Sequence, residues 1–275
     1  MSAAGGLPRA VERAVAAGCR TIQVFTKNAG QWKGRPLPRQ ETLDFRRAAR
    51  AAGLAPLSAH AAYLINLASP DPALWARSID ALSDELARCH QAGIEFLVIH
   101  PGSHCGEGEE AGLDRVARGI DAAFQRAAKT RTRLLLESTA GQGACLGHQL
   151  GHLAEMIRRS DAKRRLAICL DTCHLHAAGY DLVSRDGWRR LVDEVEETVG
   201  LGRVALIHAN DSKRQRGSRV DRHERIGLGQ LGEAAFRNLM TEPAFAGVPK
   251  ILETPKDAAG EWDREGLAVL RRLAG

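Results

Sequence analysis

A parallel (β/α) barrel formed as one domain over residues 1–275 is the fold class this sequence predicts. Strand-length apolar runs alternate with amphipathic stretches from end to end, and several runs are apolar at nearly every position. Such runs suit strands covered on both faces of a parallel sheet. The runs begin roughly 33 to 45 residues apart, room for a strand, a helix and two loops, and no linker interrupts them. Unbroken strand–helix repetition at this length favours one barrel over two lobes.

The predicted strands, in order, are TIQVF (21–25), APLSA (55–59), FLVIH (96–100), RLLLE (133–137), LAICLD (166–171), VALIH (204–208) and PKILE (249–253). The stretch 71–93 between the second and third shows how the helices are read. Leu74, Ile79, Leu82 and Leu86 follow helical spacing, Pro72 suits the first turn and Gly93 the end. Seven strands are counted where a closed eightfold barrel needs one more. The chain opens MSAAGGLPRAVERAV, which reads as a βα loop and helix with nothing before them. The first strand is therefore expected to be truncated, with Met1 at a miscalled start on a valine codon.

Composition narrows the function classes. No run of about 18 apolar residues exists to span a membrane, and the first residues lack the apolar core and cleavage pattern of a secretory signal. The six cysteines form no CxxC pair and read as reduced thiols of a cytoplasmic protein. The net charge of +6 permits a polyanionic partner, and the segment 213–225 concentrates Lys213, Arg214, Arg216, Arg219, Arg222 and Arg225.

Barrel chemistry gathers at the C-terminal ends of strands. There the second run is followed by His60, and the next five end in His100, Glu137, Asp171, His208 and Glu253. His174 follows Asp171, and Asp221 and His223 lie in the basic segment. A lone Asp at such a place caps a turn, and a lone His belongs to a core. Six successive runs ending in His, Asp or Glu need another cause. Clustered carboxylates raise one another's pKa unless cations intervene, and mixed imidazole–carboxylate ligation suits zinc or manganese. Shared at three to five ligands per ion, nine ligands imply two or three ions.

Two other signals are set aside. HQLGH (148–152) spaces two histidines on one helix face but has Gln149 where a zinc-protease helix needs Glu, so it reads as a surface pair. GQGACLG (141–147) misplaces the third glycine of a dinucleotide fingerprint and reads as a tight turn beside Glu137.

Together SAHAAYLINLASPD, VIHPGSH, LLLESTAGQG, CLDTCHLHAAGYD, IHANDSK, DRHERIGLG and ILETP resemble the endonuclease IV family of apurinic/apyrimidinic endonucleases, from Ser2 to about Lys256. The resemblance implies a (β/α)8 TIM barrel with a trinuclear zinc site that cleaves double-stranded DNA 5′ to abasic sites and clears blocked 3′ ends. It implies that His60 and His100 hold one zinc with Glu137 bridging to a second, that Asp171, His208 and Glu253 complete the second, and that His174, Asp221 and His223 hold a third. Manganese is admissible in one position. Glu137 and Glu253 are the expected catalytic carboxylates. Gln31, Tyr63 and Leu64 are expected to fill the gap left by a missing base, and Lys213 and Arg222 to meet phosphates. Gly30 stands where some relatives place an arginine wedge. A monomer is expected. The rival reading is a sugar isomerase or epimerase on the same barrel. It would hold one metal through Glu137, Asp171, His208 and Glu253 and leave the other five ligands without a role.

Overall fold

The apolar runs become strands close to where the sequence places them, in a computed structural model that describes all 275 residues. In chain order the helices are α1 (Leu7–Ala16), α2 (Arg39–Ala51), α3 (Pro72–Ala92), α4 (Glu109–Arg126), α5 (Leu150–Arg159), α6 (Thr172–Ala178), α7 (Arg185–Thr198), α8 (Gly232–Thr241) and α9 (Glu261–Ala274). The strands are β1 (Ile22–Val24), β2 (Leu57–His60), β3 (Phe96–Ile99), β4 (Arg133–Glu137), β5 (Leu166–Asp171), β6 (Val204–His208), β7 (Asp211–Ser212), β8 (His223–Glu224) and β9 (Lys250–Ile251). The chain thus enters on a helix, and the run 21–25 supplies its first strand.

The backbone divides into two compact units, residues 1–136 with 155–167, and residues 137–154 with 168–275. In the first, β1 to β4 pair in succession and all in parallel, through Ile22↔Leu57, Ala59↔Leu97 and Leu97↔Leu134. α3 is bounded as its sequence requires. The Asp71 carboxylate accepts from the amides of Ala73 and Leu74, and Gly93 closes the helix at φ 69°. Side chains of α3 (Ile79, Leu82, Leu86) and α4 (Val116, Ile120) are fully buried with Leu97 and Ile99 of β3. Burying each removes about 1.5–3 kcal/mol of apolar exposure.

In the second unit β6 pairs in parallel with β5 on one side and β9 on the other. The register sets Asp171 beside His208, and His208 beside Ile251, two residues before Glu253. β7 and β8 form a separate antiparallel ribbon that carries Ser212 opposite His223. No helix is long and apolar enough to cross a membrane.

Candidate metal centre and its flanking loops

In the first unit two histidines stand at neighbouring strand ends. The Ala61 amide donates to the Val98 carbonyl at 2.8 Å, which carries the β2–β3 pairing to the level of the imidazoles. The rings of His60 and His100 meet edge to face with centroids 5.3 Å apart, and His60 lies 5.6 Å from Phe25 and 5.0 Å from Tyr63. His60 Nδ1 lies 2.7 Å from the Ala61 carbonyl. Donation there fixes the tautomer and makes Nε2 the lone-pair nitrogen, the form a metal requires.

The loops beside this pair are anchored by buried charge. The Glu85 carboxylate of α3 accepts from the Ala62 amide at 3.1 Å and from Thr26 Oγ1 at 2.7 Å, with Lys27 Nζ 3.4 Å away. Arg88, one turn on, donates to the carbonyls of Thr26 and Arg35. Glu85, Arg88 and Lys27 are all buried, so this charge is held only because each group has partners. The Tyr63 amide donates to the Ala29 carbonyl at 3.2 Å, and Arg77 covers the Trp32 ring at 4.3 Å. Gln31 and Gly30 are not buried, Leu64 is half-buried, and Tyr63 is 58% exposed. An aromatic ring so poorly covered on a tightly held loop is unusual for a core residue.

In the second unit the remaining seven predicted ligands converge. His208 Nδ1 lies 2.7 Å from Glu137 Oε1, 3.1 Å from Glu253 Oε2 and 3.9 Å from Asp171 Oδ2. Asp221 sits between two imidazoles, 3.1 Å from His174 Nε2 and 3.3 Å from His223 Nε2. His174 Nδ1 lies 2.8 Å from the Ser138 carbonyl, and His223 Nδ1 lies 3.1 Å from the Glu253 carbonyl. Each imidazole is thereby aimed by a backbone oxygen, and its other nitrogen is directed inward. The potential ligand atoms of Asp171, His174 and His223 lie within 4.8 Å of one another, as do those of Glu137, Cys169 and His208.

Four carboxylates held this close must be neutralised by protons or by metal. Burial opposes charge on His174, yet Asp171, the Asp221 hydrogen bond and Glu137 outweigh it and raise its pKa to about 10. Burial likewise opposes, and Asp171 and Asp221 outweigh it, at His223, which is raised to about 9. His208 is raised well above its ordinary value for the same kind of reason, against burial and beside the carboxylates of Glu253 and Glu137. Asp221 is pulled far below the carboxylate range despite burial, by the imidazoles of His174 and His223 on either side of it. A divalent cation would replace these protons, reversing the local titration. One geometric fact favours that exchange: His223 Nε2 is buried with no hydrogen bond of acceptable geometry. An imidazole nitrogen so placed beside carboxylates suits zinc. The thiols are different. Burial pushes Cys169 up to about 12 and Cys173 higher still, which keeps both protonated and makes them packing residues.

Residues the sequence did not single out hold the predicted ones. Asn210 donates to Asp171 Oδ2 at 2.6 Å and accepts from the Glu253 amide at 2.7 Å, tying two strand-end carboxylates together. Asp211 accepts from the amides of Ser212, Gly227, Gly229, Leu231 and Gly232 at 2.7 to 3.3 Å. It thus staples the segment that follows His223. Gly229 is required there, because a Cβ would come 2.4 Å from both Asp211 Oδ1 and the Ser212 carbonyl. Gln142 accepts from the Asp221 amide at 3.3 Å, so the glycine-rich turn after Glu137 reaches the ribbon.

The basic segment joins β7 to β8. The amides of Gly217 and Arg219 donate to the carbonyls of His176 and Ala177, docking it on α6. Of its six cations, Arg216 pairs with Asp181 at 3.3 Å, and Arg225 covers the Trp262 ring at 4.5 Å. Lys213 and Arg222 are exposed and linked through their backbones at 2.9 Å. His148 and His152 correct the sequence reading. Both are buried rather than on the surface, their rings edge to face at 4.8 Å. The turn folds back on them so closely that a Cβ on Gly141 would lie 2.9 Å from His148. Apolar spacing cannot reveal that fold-back.

A family model described as a xylose isomerase-like TIM barrel matches residues 11–273. The chain is 47% identical over 275 residues to a "Probable endonuclease 4" of Nitratidesulfovibrio vulgaris (strain DP4), covering all of this chain and 97% of the relative. It is 43% identical to a protein of the same name from Citrifermentans bemidjiense, over 99% of this chain and 96% of that one. The solved structure of endonuclease IV from Thermus thermophilus superposes with a TM-score of 0.88 at 36% identity, covering 99% of this chain and 96% of that one. A D-tagatose 3-epimerase-like protein superposes at 0.73 with 17% identity, a likeness of fold alone. The fold is the TIM barrel that the strand–helix repetition predicts.

Proposed function

Since the chain belongs to the endonuclease IV family, we propose that it hydrolyses double-stranded DNA on the 5′ side of abasic sites, leaving a 3′-hydroxyl and a 5′-deoxyribose phosphate, and that it also clears blocked 3′ ends. The observation that carries this reading is the convergence of Glu137, Asp171 and Glu253 on His208, with Asp221 bracketed by His174 and His223. Three zinc ions are proposed, manganese being admissible in one position. His60, His100 and Glu137 would serve the first, Glu137, Asp171, His208 and Glu253 the second, and His174, Asp221 and His223 the third. Bound metal would lower the pKa of a coordinated water toward about 7 and absorb charge on the scissile phosphate.

The protein's own groups do the rest. The Ser138 and Glu253 carbonyls hold the imidazoles in one tautomer, and Asn210 fixes the spacing of Asp171 and Glu253. Glu137 and Glu253 are the catalytic carboxylates of this reading, being the two that meet His208 most closely. Tyr63, Leu64 and Gln31 would fill the space of the missing base, with the Glu85 network holding their loops. Lys213 and Arg222 would contact phosphates. We read residues 1–275 as one catalytic domain acting as a monomer.

The isomerase alternative accounts for Glu137, Asp171, His208 and Glu253 only. It gives no reason for Asp221 to be bracketed by two histidines. Incubation with a duplex carrying one abasic analogue, with and without chelator, tests the proposal: chelator-sensitive cleavage 5′ to the lesion is expected, and an intact duplex in both arms would refute it.

A further inference from the structure

At the opposite ends of the first unit's strands lies a depression that the proposed chemistry does not use. It encloses about 760 Å3, and Leu57, Glu95 and Thr132, at or just before the starts of β2, β3 and β4, line it. Four of its lining side chains are the exposed cations Arg46, Arg50, Lys129 and Arg131. Arg46 donates to the His90 carbonyl at 2.7 Å, and none of the four has a carboxylate partner.

Helix dipoles account for part of this charge. The C-terminal ends of α2 and α3 contribute to the lining through Arg50 and Gly53, and through His90 and Gly93. Each helix end carries roughly half a negative charge. Glu95 adds one more and is already engaged, accepting from the Leu57 amide at 2.7 Å. Two helix ends and one carboxylate offset about two of the four cations, leaving an excess of about two positive charges. The wall between them is apolar, formed by Ala49, Leu54, Leu57 and Ile94, all buried. A concave, low-dielectric wall focuses the field of the cations beyond what a flat surface would.

We propose that this depression binds a nucleotide-sized phosphomonoester. Its phosphate, with a charge of about −1.5 to −2 at neutral pH, would lie among Arg46, Arg50, Lys129 and Arg131, and its organic part would lie on Leu54, Leu57 and Ile94. The volume falls within the range of about 300–1,000 Å3 common to small-molecule sites.

The test is calorimetric titration of the metal-loaded protein with adenosine monophosphate, inorganic phosphate, adenosine and an undamaged duplex. Saturable one-to-one binding of adenosine monophosphate is expected, with inorganic phosphate at least about tenfold weaker and adenosine without effect. In the Arg50→Ala/Arg131→Ala double variant this binding should weaken at least about tenfold, while the melting temperature and incision of abasic duplex stay unchanged. Lack of saturable binding, or unchanged affinity in the double variant, would overturn the proposal. So would phosphate equal to the nucleotide, which would leave the apolar wall without a role. Displacement by the duplex would assign the nucleotide to the DNA-binding face instead. The binding and melting readouts do not depend on the abasic-site reading, so the two proposals fail separately.

Discussion

The two units prepare their strand-end residues in different ways. In the first, His60 and His100 meet ring against ring with Phe25 and Tyr63 alongside, and the nearby charge of Glu85, Arg88 and Lys27 serves to hold loops. In the second, imidazoles meet carboxylates directly, and a further set of groups, Ser138, Asn210 and Asp211, holds those in turn. Aromatic packing tolerates a missing cation, whereas four carboxylates around three histidines need either metal or protons on the imidazoles. Metal should therefore matter to stability mainly through the second unit, and the first should contribute more to recognition of the substrate.

The largest effect expected from that contrast is at Asp171. Asp171→Asn removes charge from the place where His174, His208 and His223 meet. Incision should fall by about 10³-fold or more, and metal content should drop with it. Near-wild-type turnover with full metal would break the comparison. His174→Ala is next: it should cost one metal ion per chain and lower kcat by about 10²–10³-fold, leaving Kd for abasic duplex nearly unchanged. Unchanged metal stoichiometry would refute its role as a ligand.

Asp211→Ala leaves five backbone amides without their acceptor. A loss of about 3–5 kcal/mol in stability is expected by the measure of a broken buried charge network, read as a lower denaturant midpoint. A shift under about 1 kcal/mol would show that the segment after His223 is held by other contacts.

The metal-free protein should also report the second unit by its pH dependence. His174 and His223 ionise at about 10 and about 9 in the fold against an ordinary 6.5. A raised pKa gives stability that is full below 6.5 and lost as pH rises through 9 and 10. Chelated protein should therefore melt progressively lower from pH 6.5 to 10, and metal-loaded protein much less so. A melting temperature that rises over that interval in the chelated form would contradict the charge assignment. The smallest effect belongs to the first unit: Tyr63→Ala should weaken binding to abasic duplex by about 1–3 kcal/mol, and binding to intact duplex by less. Equal losses would make the tyrosine structural.

Much of this was legible in the sequence because strand periodicity and ligand chemistry coincide. The run 133–137 is β4 and ends in Glu137, and 166–171 is β5 and ends in Asp171. A buried parallel strand is an apolar run, and a polar residue at its end stands out. Asn210 and Asp211 escaped notice for the opposite reason. Their role is to accept or donate hydrogen bonds with distant groups, which leaves no period and no spacing. Glu85 and Arg88 were hidden within an amphipathic helix, where charges are ordinarily solvated, yet both are buried. The cations of the basal depression come from separate stretches, 46–50 and 129–131, and only folding brings them to one cavity.

On the proposed reading, the charge network of the second unit is part of a multi-metal centre. Native mass spectrometry of zinc-loaded protein, before and after chelation, tests it most directly. About three bound ions per chain are expected, one of them lost in His174→Ala. A single ion in the wild-type protein, retained in that variant, would contradict it.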